Sequence, residues 1–216
     1  MRNPEPVIHE KGHLNVCEYI MSFLENKNPS NDSGWTPLHS AADNGYLNVC
    51  EYIMSFLDNK NPSDDNGWTP LHFAAHSGHL NVCKYTMSFL ESKNPSSNNG
   101  KTPLHSASLN GHLNICEYIM SFLENKTPNN NNGETPLHSA AINVYGYIIS
   151  FTENKNPRRN DGTTTLHIAA YKGHLNLCQF IVETTREKHP HIADGRTPLD
   201  LARQSNQHQI IEYLSK

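Results

Sequence analysis

The apolar residues of this chain fall in short groups at helical spacing, without long apolar runs or strict alternation. One group recurs at steps of three and four residues, as the buried stripe of an amphipathic helix does. It consists of Leu47, Cys50, Ile53, Met54 and Leu57. A smaller apolar face precedes it at Leu38, Ala41 and Ala42. The pattern predicts a short helix followed by a longer one.

Residues at the ends of these groups predict where the helices begin and end. Thr36 can cap the short helix because its hydroxyl can accept a hydrogen bond from a free amide of the first turn. Pro37 then occupies the first helical position, where its missing N–H costs nothing. Gly45 favours the end of the helix because glycine adopts positive φ freely. The segment 59–67 has the Asn, Pro, Ser and Gly composition of a turn.

The same pattern repeats along the chain with a period of 33 residues. Glycines at 34, 67, 100 and 133 mark this period. The next glycine of the series, at 162, follows after only 29 residues, and the last, at 195, follows after 33 residues. Thr-Pro-Leu-His follows each of the first four glycines, and its variants after the last two are Thr164-Thr165-Leu166-His167 and Thr197-Pro198-Leu199-Asp200. One such helix pair cannot bury its own apolar stripe, whereas stacked pairs can. The sequence therefore predicts an all-α protein, an α-solenoid.

A second string, of the type Gly-His-Leu-Asn-Val-Cys, opens at Gly12, Gly45, Gly78, Gly111 and Gly173. Together with the 33-residue period and the Thr-Pro-Leu-His string, it resembles the signature of ankyrin repeats. The resemblance covers residues 12–216. It implies stacked helix–turn–helix ankyrin repeats with projecting β-turn fingers. The first helices and the fingers would form a concave face, and the second helices a convex back.

The repeated strings divide a single ankyrin repeat domain, 1–216, into units. The expected boundaries are a partial repeat 1–33, repeats 34–66, 67–99 and 100–132, a shortened repeat 133–161, a repeat 162–194 and a C-terminal capping repeat 195–216. The second helices lack the Gly-Ala that usually follows them in the family, so we expect them to continue to the residue before each proline. The shortened repeat lacks four residues near Ile142, and we expect it to be a weak point of the array.

The two ends of the array differ. The last unit carries Asp200 in place of His and a polar segment, 203–206, in place of the Gly-His-Leu turn. A polar outer face of this kind suits a capping repeat. Only the segment 7–11 precedes Gly12, without a Thr-Pro-Leu-His string. We therefore expect the chain to be a fragment or a truncated version of a longer protein.

Composition and charge argue against several classes of function. The 17 basic and 21 acidic residues give a net charge of −4, whereas a general nucleic-acid binder would carry a basic surplus. No apolar run approaches the roughly 18 residues of a membrane helix. The N-terminus is rich in Pro and charge, unlike a signal peptide. The sequence predicts a cytoplasmic protein, and the basic cluster at 155–159 leaves a nuclear location open.

Fourteen histidines and five cysteines raise the question of a metal site. The cysteines occupy one position of the repeat, so neighbours lie one helix-packing distance apart, about 8–10 Å. That distance is too long for a disulfide or for shared coordination of one zinc ion. Nine histidines belong to the repeated strings, and the resemblance implies that they order the stack. We predict no metal, no cofactor and no enzymatic activity, with His189-Pro190-His191 as a remote candidate for metal binding.

The candidate binding residues are positions that differ between otherwise near-identical repeats, because the scaffold fixes the rest. In the family these positions face the concave groove or its rim. They are Trp35, Trp68, Phe73, His76, Lys101, Leu109, Tyr171 and Lys172. Two tryptophans one repeat apart, near Phe73, would form an exposed aromatic patch of the kind that is common in binding hot spots. The alternative is that each tryptophan packs on its neighbouring finger.

The predicted function is a non-enzymatic scaffold that binds a protein or peptide through the concave face and the finger tips. We expect it to act as a monomer, without binding nucleic acid or inserting into membranes. The alternative is a substrate-recruiting ankyrin array of a larger enzyme, such as a ubiquitin ligase or a kinase. A metal-dependent enzyme built on the array would need converging His and Cys residues, which their shared repeat position does not provide.

Overall fold

The computed structural model describes residues 13–140 and 142–216, and of residues 142 and 143 it describes only the backbone. Thirteen α-helices lie in these residues, with one isolated β-bridge between Arg158 and Thr164 and no strand in the described part. The chain forms two compact units, one that ends at Glu124 and one that spans Asn125–Lys216. The segment before Gly12, on which the expectation of a fragment depends, lies outside the described residues.

The first unit contains seven helices of its described part in three complete repeats and one half repeat. They are α1 (Leu14–Ser22), α2 (Pro37–Asp43), α3 (Leu47–Ser55), α4 (Pro70–Ser77), α5 (Leu80–Ser88), α6 (Pro103–Asn110) and α7 (Leu113–Met120). The first helices of the repeats, α2, α4 and α6, pack side by side, and the second helices, α1, α3, α5 and α7, pack in a parallel row. The predicted stacking of helix pairs is confirmed in this unit.

The second unit contains the remaining helices of the described chain. They are α8 (Pro136–Ser139), α9 (Ile142–Ser150), α10 (Thr165–Lys172), α11 (Leu175–Thr185), α12 (Pro198–Gln204) and α13 (His208–Ser215). Here α10 packs against α12, and α11 packs against α13. The last repeat keeps the same start as the others because the Asp200 carboxylate accepts a hydrogen bond from the Thr197 amide at 2.9 Å.

A reciprocal hydrogen-bond motif begins each first helix. In the repeat that starts at Gly67, the Thr69 amide donates to Nδ1 of His72 at 3.1 Å, while the Thr69 hydroxyl accepts from the His72 amide. Since Nδ1 accepts, Nε2 carries the proton and donates to the Lys101 carbonyl of the next finger at 3.1 Å. The buried histidine therefore caps its own helix and also links two repeats, and the second role is the one that the resemblance to ankyrin repeats implies.

The expectation that the second helices continue to the proline is wrong. Helix α3 ends at Ser55 and α5 at Ser88, several residues before Pro62 and Pro95. Two side chains explain the early end of α3. The Lys60 ammonium donates to the Met54 carbonyl at 2.5 Å and so satisfies the helix terminus. The Asn61 side chain accepts from the Leu71 amide at 3.1 Å and so fixes the loop to the next helix.

The shortened repeat loses about half of its first helix. Helix α8 has four residues, against seven or eight in the other first helices, and Ala140 has left helical geometry with ψ of 133°. Residue 141, between the end of α8 and the start of α9, lies outside the described residues. Tyr145 replaces the repeat's cysteine and is buried, and its hydroxyl donates to the Lys155 carbonyl at 3.3 Å.

Candidate functional site

Three aromatic rings from two neighbouring repeats meet at the finger tips of the first unit. The Phe73 ring, on α4, lies between the two tryptophans. Its centroid is 4.5 Å from that of Trp35, edge to face, and 5.1 Å from that of Trp68, in a tilted arrangement. All three side chains are half-buried. We call Trp35, Phe73 and Trp68 the fingertip cluster.

This arrangement differs from the alternative in which each tryptophan packs on its neighbouring finger, because both tryptophans contact residues of the first helices. Trp35 contacts Phe73 of the next repeat's first helix and stacks on His39 of its own repeat, with ring centroids 5.5 Å apart. Its indole Nε1–H donates to the Ser40 hydroxyl at 2.6 Å. Trp68 lies in the same way against His72, at 5.5 Å. The rings are therefore fixed against the first helices, with part of each ring accessible.

The fingers hold the backbone of both tryptophans. The Asn31 side-chain oxygen accepts from the Trp35 amide at 3.0 Å, and the Asp64 carboxylate accepts from the Trp68 amide at 2.8 Å. Successive fingers are also joined, since the Asp65 amide donates to the Ser33 carbonyl at 3.1 Å. Sequence reasoning missed Asn31 and Asp64 as positioning residues. The available signal was a turn-forming Asn or Asp four residues before each tryptophan.

The remaining predicted residues of the first unit lie along the same row of first helices. His76 is exposed, and its ring centroid is 6.2 Å from that of Trp68. The His76 Nδ1 lies 3.0 Å from the Asn110 side-chain amide. Lys101 is half-buried in the next finger, and Leu109 near the end of α6 is 47% exposed. The structure thus places the cluster, His76, Lys101 and Leu109 on three consecutive repeats.

Tyr171 and Lys172 lie in the second unit, at the end of α10, and both are exposed. They occupy the repeat position before the turn glycine, Gly173, as the sequence indicates. The structure describes them as a separate exposed pair.

The two buried histidines beside the fingertip cluster, His39 and His72, are neutral at physiological pH. Burial lowers the pKa of His72 to about 4, although its hydrogen bond to the Lys101 carbonyl opposes the shift. Burial likewise lowers the pKa of His39. A neutral imidazole that uses both nitrogens in structural hydrogen bonds holds a helix and a finger in place. These side chains therefore position the cluster rather than transfer protons.

The cysteines are poor nucleophiles in this fold. Burial raises the pKa of Cys50 and of Cys83 to about 12 and that of Cys116 to about 11. A thiolate is the reactive form of cysteine, and these values suppress it at neutral pH. Within residues 13–140 and 142–216, no three His, Cys, Asp or Glu side chains converge to hold a metal ion.

The basic cluster of the second unit is engaged in ion pairs. Arg158 pairs with Glu187 at 3.3 Å and donates to the His191 carbonyl at 2.9 Å. Arg159 pairs with Glu134 of the preceding finger. Each guanidinium therefore binds groups of its own unit. This engagement disfavours the interpretation of the segment as a nuclear-localisation or phosphate-binding site.

Comparison with protein families agrees with the fold and the repeated strings. A family model described as ankyrin repeats (three copies) matches residues 7–88, 53–132, 86–152 and 146–216. The chain belongs to the ankyrin repeat family. Ankyrin repeats are generally protein–protein interaction modules and are typically non-enzymatic.

Comparison with curated proteins gives no significant match to this ankyrin repeat protein. Among its described residues, every helix falls short of the length and apolar content that crossing a lipid bilayer requires.

Proposed function

We propose that this ankyrin repeat protein acts as a monomeric scaffold that binds a protein or peptide through the fingertip cluster and the adjoining first helices. The observation that supports the proposal most directly is the Trp35–Phe73–Trp68 arrangement. Tryptophan is enriched in hot spots, where a few large rings supply most of the binding energy.

The surroundings of the fingertip cluster suit a protein partner. Each ring is held in one orientation by contacts within the fold, so little side-chain entropy is lost when a partner binds. His76 and Lys101 add polar groups at the rim, and Leu109 adds an exposed apolar side chain one repeat further along. A central aromatic group with a polar rim is the usual anatomy of an interface.

The proposal is tested by proximity labelling and pull-down with the wild-type chain beside the double variant Trp35→Ala/Trp68→Ala. We expect a partner that the wild type captures and the double variant loses, because each substitution removes most of an aromatic contact surface. Circular dichroism must first show an unchanged helical signal in the variant.

A control removes exposed aromatic area that lies outside the fingertip cluster. The variant Phe151→Ala/Phe180→Ala changes two exposed rings of the second unit. It should capture the same partner as the wild type. Capture of an identical set of proteins by all three chains would show that the fingertip cluster is not the binding site.

A further inference from the structure

The second helices of the first unit expose one phenylalanine per repeat at their C-terminal ends. Phe23, Phe56, Phe89 and Phe122 are 72%, 51%, 50% and 49% exposed. Each ring packs edge to face on the tyrosine one turn earlier in the chain, with centroids 5.1 Å apart. We call these four phenylalanines the aromatic ladder.

The aromatic ladder contributes little to the core, because half or more of each ring faces solvent. These large apolar side chains recur at the same exposed position of successive repeats, and exposed apolar patches mark interaction sites. The ladder lies on the second helices, whereas the fingertip cluster belongs to the fingers and the first helices. It is therefore a separate surface from the proposed binding site.

The rings on this surface already attract cations of the chain itself. The Lys27 ammonium lies 5.9 Å from the Phe56 centroid, and the Lys60 ammonium lies 5.9 Å from that of Phe89. Lys84 lies 5.3 Å from the Tyr118 centroid, at the partner ring of Phe122. A cation within about 6 Å of a ring face is attracted by the ring quadrupole. The surface thus has the geometry that a guanidinium or an ammonium requires.

Charge on the same surface also favours a cationic partner. An exposed carboxylate follows each ladder ring by two residues, at Glu25, Asp58, Glu91 and Glu124. Residues 13–124 contain eleven acidic and five basic residues. Three of those bases, Lys27, Lys60 and Lys93, direct their ammonium groups to helix carbonyls. A basic segment would therefore meet a unit of net negative charge, with one carboxylate close in sequence to each ladder ring.

The spacing of the ladder sets the spacing of the cations. Successive second helices pack side by side, so neighbouring rings lie one helix-packing distance apart, roughly 8–10 Å. An extended segment in the polyproline II conformation advances about 3.1 Å per residue with three residues per turn, so side chains three residues apart lie on the same side. Three residues of an extended segment therefore match one repeat.

We propose that the aromatic ladder of the first unit binds an extended basic segment of a partner protein, with Arg or Lys at every third residue. Each cation would lie over one phenylalanine ring and beside the carboxylate that follows it. At Phe56 and Phe89 it would displace the chain's own Lys27 or Lys60 from the ring. The occupant is a protein segment of this chemistry, and the site is independent of the fingertip cluster.

The test is fluorescence anisotropy with a labelled 12-residue synthetic peptide that carries Arg at every third position among Gly and Ser. We expect the variant Phe56→Leu/Phe89→Leu/Phe122→Leu to bind it at least about tenfold more weakly, because leucine keeps apolar area but lacks the ring quadrupole. A peptide of the same composition with its four arginines consecutive should also bind more weakly. Binding should weaken at high salt, since exposed charges are screened.

Several controls keep the test decisive. The Trp35→Ala/Trp68→Ala variant should bind the peptide within about twofold of the wild type, which separates this site from the proposed function. If the triple leucine variant fails to show the wild-type circular dichroism, Asp58→Asn/Glu91→Gln replaces it and should weaken binding severalfold. Equal affinity of wild type and ladder variant, or of periodic and clustered peptides, would overturn the proposal. Sedimentation that shows a dimer lost in the ladder variant, without peptide binding, would assign the ladder to a second copy instead.

Discussion

Gly78 and Gly146 occupy opposite environments, although both belong to repeated helix pairs. Gly78 ends α4 with φ of 89°, and a Cβ there would lie 2.7 Å from Cε1 of His112. Gly146 lies inside α9, where a Cβ would meet no atom within 4 Å. The first glycine is required by backbone geometry and by the close approach of a ring. The second replaces the Glu of other repeats and is not required by packing.

These environments predict opposite effects of alanine. We expect Gly78→Ala to lower the free energy of unfolding by more than about 1 kcal/mol, since φ is unfavourable for alanine and the His112 ring must move. Gly146→Ala should raise it by up to about 1 kcal/mol, because glycine is costly inside a helix. Urea unfolding followed by circular dichroism measures both. A stabilised Gly78→Ala protein would contradict the assignment of this position.

The buried histidines make stability depend on pH. The pKa of His72 is about 4 in the folded protein, and about 6.5 in the unfolded chain. The unfolded state therefore binds more protons between these values, so stability is fully present above about pH 6.5 and is lost as the pH falls towards 4. We expect the titration of His72 to lower the free energy of unfolding at pH 5 by about 1–2 kcal/mol relative to pH 7.

The measurement compares urea unfolding at pH 7 and pH 5 in His72→Asn and in the wild type. The loss on acidification should be smaller in His72→Asn, because asparagine does not titrate. The variant His76→Gln changes an exposed histidine and should keep the wild-type pH dependence. If all three chains lose the same stability, protonation of His72 does not contribute to the loss.

At the scale of elements, the connecting loops are built by asparagine side chains that reach forward into the next helix. The Asn28, Asn61 and Asn94 side chains each accept from the amide of the leucine ten residues later, at 3.0–3.1 Å. Thr127 occupies this position before α8. Helix α8 is also the shortest first helix, and the buried Nε2 of its His138 lacks a hydrogen bond of normal geometry.

We predict that α8 opens more readily than α10, the next first helix of the same unit. Hydrogen exchange should be faster in α8 by at least about tenfold, because a four-residue helix has few internal hydrogen bonds to break. Mass-spectrometric exchange of peptides covering Pro136–Ser139 and Thr165–Lys172 measures the difference. Equal protection of the two helices would contradict the expected weak point.

At the scale of the whole molecule, the two units differ in charge. Residues 13–124 carry eleven acidic and five basic residues, whereas residues 125–216 carry eight acidic and ten basic ones. The core of each unit includes one buried cysteine per regular repeat, Cys50, Cys83 and Cys116 in the first unit and Cys178 in the second. Each unit therefore contains its own thiol probe of unfolding.

We predict that the four buried cysteines react with a thiol reagent at pH 8 only when their unit opens. Burial raises the pKa of Cys178, like that of Cys50, to about 12, and both are fully buried. Labelling followed by peptide mass spectrometry should show rates at least about a thousandfold below those in urea. Cys17 is partly exposed and should react faster. Rapid native labelling of Cys83 would contradict the described packing.

Much of the fold was predictable from sequence because each repeat carries its own local signals. Thr69, Pro70 and His72 specify the start of a helix within four residues, and Gly78 specifies its end. The early end of the second helices was not predictable from these rules. It depends on the hydrogen bond from the Lys60 ammonium to the Met54 carbonyl. This bond can form only when the loop after α3 folds back onto the end of the helix.

The sequence by itself determined the repeat period, the all-α stack, the helix starts and the candidate aromatic residues at the finger tips. Local capping and apolar periodicity act over a few residues, so they can be read along the chain. The tertiary structure alone decided that Trp35 and Trp68 meet on Phe73, and that four phenylalanines stay outside the core. Those outcomes depend on how neighbouring repeats pack, since rings distant in sequence compete for the same buried space.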